Sequence, residues 1–377
     1  MQKNLEAWDV SETDFPRTGT LADKLEFCLR YAVLAPSAYN SQPWYFTIDG
    51  DTLSLYADRR FALPVVDPDD RQLIMSCGAA LYALRLAIRY FGYQEYTQLV
   101  PNPADENLIA RVQMGDVASI PSEEEQALFY AITHRYMNRS AFKNMDVPKE
   151  ILQTLEEAAT KEGAWLHVCK DDERDVVAHF IAEGDQIQMA SKNFRRELAS
   201  WINERRYVSG DGYPDYARSF KEMMSSSKPR ILRRFETQPG QVVKDDEIAA
   251  GCPVLAIIGS EKGGTADRIY AGQAFMRVLL QAQASGLAVS TLNQPCEVPD
   301  LRLRLHDEID HSSARPHYIL RIGYADPVIN HTPRRPLESF IERSDMTAQY
   351  AAPANDQAKT GQKTSVWAKF QQLFLAK

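Results

Sequence analysis

Hydrophobic spacing divides the chain into helical and extended stretches. Leu21, Leu25, Cys28, Leu29, Ala32 and Val33 recur at helical intervals and predict a helix over 21–34. Two short extended runs follow, Tyr45–Ile48 and Leu53–Tyr56, joined by a hairpin turn at Asp49-Gly50-Asp51. Asp67-Pro68-Asp69-Asp70 opens a long helix from Arg71 to Tyr90, and its acidic start suits the helix dipole. Ile74, Cys77, Leu81, Leu84 and Ile88 mark it as a core helix, and the small residues of Cys77-Gly78-Ala79-Ala80 permit a close neighbour. Gly92 ends it, and strands are predicted over Tyr93–Val100 and Leu108–Met114.

Further along, the pattern predicts helices over 123–132 and 147–160 and a strand at Trp165–Val168. A helix-rich insertion starts after Asp171-Asp172-Glu173, and Ser209-Gly210-Asp211-Gly212-Tyr213-Pro214 reads as a loop. A helix or broken helix over 215–235 and a charged linker over 236–248 come next. Then come a buried strand at Cys252–Ile258, a long helix at Asp267–Ser285, a return strand from Gly286 to Ser290, a short helix at Val298–His306 and a last strand at His317–Gly323. Residues 337–344 predict a short helical tail, 345–363 a mobile segment, and 366–375 a docking helix.

The second block repeats the first in outline. Gly78 and Gly92 bracket one apolar helix, and Gly272 and Gly286 bracket another at the same separation. Cys-Gly-Ala-Ala-Leu-Tyr-Ala-Leu and Ala-Gly-Gln-Ala-Phe-Met-Arg-Val align without gaps. Two unrelated amphipathic helices can coincide in this way, but each is also followed by Gly and a strand-like run, which favours duplication. Paired halves would bury their central helices against each other, as two subunits of a dimer do.

Composition narrows the class. The 377 residues are 44% hydrophobic, with a formal charge of −8, and the mean hydropathy is −0.39. An acidic balance argues against nonspecific nucleic-acid binding, which needs a concentrated positive surface. No continuous apolar run approaches the roughly 20 residues that span a bilayer, and the start, MQKNLEAWDV, has no apolar signal-peptide core. Five scattered cysteines and seven histidines form no metal-ligand spacing. Reduced core thiols and a cytoplasmic protein are expected. Catalytic-triad, Walker A and dinucleotide fingerprints are missing from the sequence.

Ala35-Pro36-Ser37-Ala38-Tyr39-Asn40-Ser41-Gln42-Pro43-Trp44 is the most informative stretch. Its residues alone describe a polar turn between two prolines, with a core Trp after it, as readily as a binding loop. The pattern Ala-Pro-Ser-x-x-Asn-x-Gln-Pro-Trp resembles the flavin-side turn of the nitroreductase superfamily. His134-Arg135-Tyr136-Met137-Asn138-Arg139-Ser140-Ala141-Phe142 is similar to the basic segment of its long Acg-like branch, whose members look like two nitroreductase halves fused in one polypeptide. Leu320–Ala325 followed by Thr332-Pro333-Arg334-Arg335-Pro336 resembles that family's terminal strand and basic tail. Read without the resemblance, Arg135 and Arg139 are two surface arginines paired with carboxylates.

The resemblance implies an α+β nitroreductase-like fold with tandem pseudo-dimeric halves, central helices and mixed or antiparallel sheets. It divides the chain into a leader over 1–20, a first half over 21–122, a second half over 123–344 with a possible cover at 209–245, and an extension over 345–377. It implies an FMN-dependent oxidoreductase passing reducing equivalents from NAD(P)H to a small nitroaromatic, quinone-like or other organic acceptor. The competing reading is FMN storage or sequestration with little turnover. Ser37, Asn40 and Gln42 would face the isoalloxazine or ribityl groups, and Arg135 and Arg139 the phosphate, with Arg334 or Arg335 opposite. Gly286 and Leu287 would lie against the other side of the ring, and Asn293 and Gln294 near the pocket. No residue is assigned a catalytic or metal-binding role. The chain would be a monomer with an internal pseudo-dimer, a homodimer remaining open, with neither nucleic acid nor membrane as partner. One departure matters. The first half lacks the usual basic motif before its helix, having Phe15-Pro16-Arg17-Thr18 there, and the second half lacks a second Ala-Pro-Ser turn. One complete flavin site per chain follows.

Overall fold

The first half is built as helix, hairpin, long helix, hairpin. In a computed structural model, α1 (Leu21–Ala32) leads to β1 (Trp44–Asp49) and β2 (Thr52–Ala57), then α2 (Arg71–Tyr90), β3 (Tyr93–Leu99) and β4 (Leu108–Val117). The structure describes residues 5–118, 120–138, 141–202, 205–213, 253–309, 315–326 and 331–342, all within the unit Met1–Glu342. The expected 215–235 helix, the 236–248 linker, the cover beyond residue 213, Arg139 and the segments at 345–363 and 366–375 lie outside them.

α3 (Glu123–His134) connects to the second half, which repeats the plan: α4 (Lys149–Thr160), β5 (Trp165–Val168), β6 (Val254–Ser260), α8 (Thr265–Ala284), β7 (Ala288–Thr291) and β8 (Arg315–Gly323). Between β5 and β6 come α5 (Asp171–Ala190), α6 (Lys192–Trp201) and α7 (Arg206–Ser209); between β7 and β8 come α9 (Gln294–Glu297) and α10 (Pro299–Glu308). The first sheet runs β1-β2-β4-β3 and the second β5-β6-β8-β7, every pairing antiparallel, so the strands correspond one to one. The expected tandem α+β halves are therefore present.

Local chemistry explains the boundaries. Thr20 caps α1 by accepting from Asp23 N at 3.2 Å, while its own N–H donates to Asp23 Oδ2 at 2.8 Å. Gly50, at φ 58°, supplies the left-handed position of the β1–β2 turn. α2 is long and apolar enough to cross a membrane by composition, yet it is buried almost all round. Its partner is α8. A Cβ on Gly78 would lie 2.4 Å from Ile269 O, and one on Gly272 would lie 2.0 Å from Met75 O. The two backbones thus touch at the glycines that the sequence repeat aligned.

The second sheet is covered on both faces. Val254, Ala256, Ile258, Leu320 and Ile322 face α4 and α8, while Leu255, Ile257 and Ile319 face α5, α9 and α10. This is why β6 has no exposed residue, whereas β3 alternates between exposed and half-buried positions. The halves also exchange chain. After β8 the chain crosses to the first sheet, where Ile341 bridges Phe46 beside β1 and Glu342 N donates to Phe46 O at 2.8 Å. After α3, Met137 bridges Val289 of β7 and Asn138 N donates to Val289 O at 2.8 Å.

Candidate functional site

Pro36 prevents α1 from continuing, and a helix end leaves its last carbonyls without intrahelical donors. Arg334 supplies those donors from the far end of the chain. Its Nε donates to Val33 O at 2.8 Å, and its Nη2 to Leu34 O at 2.9 Å and Ala35 O at 3.2 Å. Its Nη1 donates to Asn40 Oδ1 at 2.9 Å, Pro333 O at 3.0 Å and Thr332 Oγ1 at 2.6 Å. Every nitrogen of this guanidinium has an acceptor in the chain, and the residue is 2% exposed.

The turn after Pro36 is held in an unfavourable conformation. Tyr39, Asn40 and Gln42 have φ of 51°, 52° and 51°, in the left-handed region that costs a non-glycine residue about 1–2 kcal/mol. Its polar side chains offset that cost by bracing the loop. Ser37 Oγ accepts from Gln42 N at 2.9 Å. Gln42 Nε2 donates to Gly210 O at 2.9 Å, and its Oε1 accepts from Arg335 N at 3.1 Å. Asn40 Nδ2 donates to Pro333 O at 2.9 Å and Gly212 O at 3.3 Å. The described start of the expected cover, residues 209–213, is thereby fastened to this turn. Gly210 must lack a side chain, because a Cβ there would lie 2.5 Å from Arg334 O at φ +77°.

Arg135 reaches the same helix end from the segment after α3, donating Nη2 to Leu34 O. It is 3% exposed, and its Nε has no partner. Arg335 donates to Gln42 O and lies against the rings of Phe61 at 3.7 Å and Phe340 at 4.5 Å; its Nε is also unpartnered. Among the described residues none of these three guanidiniums pairs with a carboxylate; their chain acceptors are carbonyl, amide and hydroxyl oxygens. Burial lowers Arg135 and Arg335 to about 10 and Arg334 well below its ordinary value, and Arg135 lowers Arg334 further. All remain cations at neutral pH.

Two residues enter this site without a sequence signal. Trp8 stacks on His331 with ring centres 3.9 Å apart and donates Nε1 to Thr332 O at 2.9 Å. The same indole lies over Arg334 at 4.7 Å and Arg135 at 5.6 Å. His331 Nδ1 is buried without a partner, and burial with the field of Arg135 and Arg334 lowers the imidazole to about 4. The leader's polarity pattern shows Trp8 only as an aromatic that packs somewhere.

The structure gathers Ser37, Asn40, Gln42, Arg135, Arg334 and Arg335 around one helix end. Gly286 closes the α8–β7 turn at φ +72°, where a Cβ would meet nothing within 4 Å, and the Leu287 side chain is buried in the core of the second sheet. Asn293 Oδ1 accepts from Ile319 N at 3.1 Å, and Gln294 Nε2 donates to Asp185 Oδ1 at 2.8 Å, so these two tie β8 and α5 together. Cys28, Cys77, Cys169 and Cys296 are buried.

The arrangement fits an anionic ligand. Among the described residues three buried cations form no ion pair with a carboxylate, and Arg135 Nε, Arg335 Nε and His331 Nδ1 are buried polar atoms without a hydrogen-bond partner. A phosphate oxygen is the natural partner of such a guanidinium. FMN carries a phosphate, so the residues present fit that group, with Arg135 the guanidinium least committed to the chain.

No family model matches the chain. It is 31% identical over 329 residues to a Mycobacterium tuberculosis (strain H37Rv) protein named "Putative NAD(P)H nitroreductase Rv3131", covering 85% of this chain and 92% of the relative. The protein acg of the same organism is 24% identical over 329 residues, covering 86% of this chain and 97% of acg. Among solved structures, the FMN-dependent nitroreductase NfnB from Mycobacterium smegmatis in complex with NADPH aligns with 58% of this chain and 98% of its own, at 17% identity and a TM-score of 0.36. A nitroreductase with bound FMN from Bacteroides fragilis aligns with 65% of this chain and 100% of its own, at 14% identity and a TM-score of 0.33. The level of identity to the first of these and the two matching halves place the chain in the nitroreductase-like family, in its long branch with both halves in one polypeptide.

Proposed function

We propose that the chain is an FMN-dependent oxidoreductase that passes reducing equivalents from NAD(P)H to a small organic acceptor of nitroaromatic or quinone type. The single observation that carries this reading is the cluster of buried guanidiniums without carboxylate partners beside the Ala35–Trp44 turn. The mycobacterial relative's name supplies the nicotinamide donor. FMN, when bound, supplies two-electron chemistry, taking hydride from a reduced nicotinamide and delivering electrons to an acceptor.

The protein's own contribution is positioning and electrostatics. Arg135, with His331 Nδ1 beside it, would hold the phosphate, and Arg335 would add a second positive edge. Arg334 keeps the end of α1 in place rather than touching the ligand. The braced turn presents its backbone without rearrangement, because Asn40 and Gln42 already hold it in its strained form. Fixed positive groups in a water-poor site also stabilise negative charge that develops on a reduced ring.

Enclosure favours one competing reading. Asn40, Gln42, Arg135, Arg334 and Arg335 are all buried, and Gly210 and Gly212 pack against the turn. A site closed in this way suits storage of the nucleotide. One experiment separates the two readings. The purified chain is saturated with FMN, and NADH or NADPH is added without oxygen. Loss of the yellow flavin absorbance supports the reductase; bound flavin that stays oxidised supports storage. A chain that takes up no FMN defeats both.

A further inference from the structure

Three distant stretches of chain meet beside the end of α1: the segment after α3 with Arg135, the tail with His331, Thr332 and Arg334, and the leader with Trp8. Trp8 touches both of the others. Its indole stacks on the His331 ring with centres 3.9 Å apart and 13° between planes, and its Nε1 donates to Thr332 O at 2.9 Å. The guanidiniums of Arg334 and Arg135 lie 4.7 Å and 5.6 Å from the ring centre, within the range of cation–π attraction. The leader is pinned behind this contact. Phe15 stacks on Phe91 at 3.9 Å and meets Phe27 edge-on at 5.5 Å, and the Glu12 carboxylate accepts from the Tyr90 hydroxyl. A single turn, Glu6–Trp8, then delivers the indole to the cluster, where it is 9% exposed.

The indole matters differently to each group that it covers. Arg334 needs no help, because carbonyl, amide and hydroxyl acceptors fix every nitrogen of its guanidinium. Arg135 is held less firmly. Among the described residues its side chain has one hydrogen bond, from Nη2 to Leu34 O, about which the guanidinium can turn, and Nε has no partner. His331 Nδ1 also bonds to nothing, so the stack on Trp8 is what sets the plane of that ring. A flat cation over an aromatic face is held in orientation as well as in place, and a stacked imidazole cannot tip without losing its contact. The indole therefore bears most on the two groups whose nitrogens lack partners. A phosphate can use both only if both are held at once.

We propose that Trp8 is a positioning residue for the phosphate end of the flavin site, holding Arg135 Nε and His331 Nδ1 within reach of one phosphate group. This rests on the FMN reading above and assigns the leader a part in it. A ring that merely packed would, when lost, weaken every ligand of the site alike. A ring that sets Arg135 and His331 weakens only the ligand that carries a phosphate.

The test compares FMN with riboflavin, which has the same ring and ribityl chain but no phosphate. Both affinities are measured by flavin fluorescence titration of the full chain, for wild type, Trp8→Leu and Trp8→Phe, with urea melts as the check on folding. Trp8→Leu is expected to weaken FMN binding about tenfold or more and to leave riboflavin binding within about twofold. Trp8→Phe restores an aromatic face, smaller and without the indole N–H, and is expected to lower the FMN-to-riboflavin affinity ratio only about threefold. An unchanged ratio in folded Trp8→Leu, or in Trp8→Phe if Trp8→Leu does not fold, overturns the proposal. Equal weakening of both ligands also overturns it and leaves Trp8 a packing residue. A wild-type chain that binds FMN no better than riboflavin overturns the phosphate assignment itself, and the role of Trp8 with it.

Discussion

Arg334 and Arg135 end on the same helix terminus but carry different burdens. Arg334 satisfies the carbonyls of Val33, Leu34 and Ala35, so its loss strands buried acceptors. Each such group costs about 1–3 kcal/mol, and Arg334→Gln is expected to lower unfolding free energy by at least about 3 kcal/mol in urea melts. Among the described residues the Arg135 side chain makes a single hydrogen bond, to Leu34 O. Arg135→Gln is expected to leave the melt nearly unchanged and to weaken FMN binding by about 1.5–3 kcal/mol, the worth of a charge-assisted bond; a fluorescence titration reads it. Unchanged affinity removes Arg135 from the phosphate site. The histidines give a pH dependence of definite sign. His317 and His331 are lowered to about 3 and about 4, first by burial and then by neighbouring arginines. The unfolded chain binds their protons near pH 6.5, so stability is complete above that pH and falls as pH drops toward 4 and 3. The slope is at most about 1.4 kcal/mol per pH unit for each group, and smaller for the less buried His331. His331→Phe, which keeps a ring against Trp8, should flatten the acid limb measured between pH 7 and pH 4.5. Sequence showed the arginines of 334 and 335 as a basic pair but not the division of labour between them. That division depends on carbonyls some 300 positions earlier, exposed by a helix stop.

The elements themselves were largely legible because their signals are local. Thr20 with Asp23 opens α1, Pro36 closes it, and Gly50 turns the first hairpin, each within a few residues of its effect. The short α9 was missed: Pro295 sits inside Gln294–Glu297, and four residues offer no periodicity to read. The left-handed turn was also hidden, since Tyr39 and Gln42 have no intrinsic reason to adopt positive φ. Their conformation is imposed by Gly210, Gly212 and Pro333, which reach the turn only after folding. The glycine repeat, by contrast, had a physical meaning that sequence could suggest and packing makes specific. Inside a helix, Gly→Ala ordinarily stabilises by about 1 kcal/mol. At Gly272 the sign should reverse, because the new Cβ would lie 2.0 Å from the backbone oxygen of Met75 and neither helix can yield there alone. Gly272→Ala is expected to cost about 2–4 kcal/mol through forced separation of α2 and α8. Denaturation midpoints of Gly272→Ala and of Gly50→Ala provide the comparison, the latter reporting only the cost of about 1–2 kcal/mol for a side chain at left-handed φ, since its Cβ meets nothing within 4 Å. If Gly272→Ala loses no more than Gly50→Ala, the close crossing is not what holds the halves.

At the scale of the whole molecule, duplication would supply two equivalent flavin sites, and on the proposed reading the two halves differ in ways that would leave one. The eleven residues between α1 and β1 have their counterpart between α4 and β5, where only Lys161-Glu162-Gly163-Ala164 remains. That short turn brings its own acid. Glu162 is buried and pairs with Arg85 at 3.2 Å and Arg277 at 2.8 Å. Glu124 pairs with Arg277 and Lys161, and Glu95 with Arg85 and Arg89. The cations on this side are thus neutralised by carboxylates of the chain itself. An incoming phosphate would have to displace buried ion pairs, and breaking one costs several kcal/mol. Around Arg135 no such competitor exists among the described residues, so an anion there gains bonds without breaking any. We therefore expect one FMN per polypeptide, measured as flavin absorbance against protein concentration after saturation and desalting. The difference between the sites also predicts how to create a second. Glu162→Gln removes the acid shared by Arg85 and Arg277, and should raise affinity for a phosphate-bearing ligand on that side while destabilising the fold by about 3–5 kcal/mol. A wild-type ratio near two would mean that the second half binds flavin despite its shortened turn and paired arginines, and would refute the asymmetry argued from Glu162.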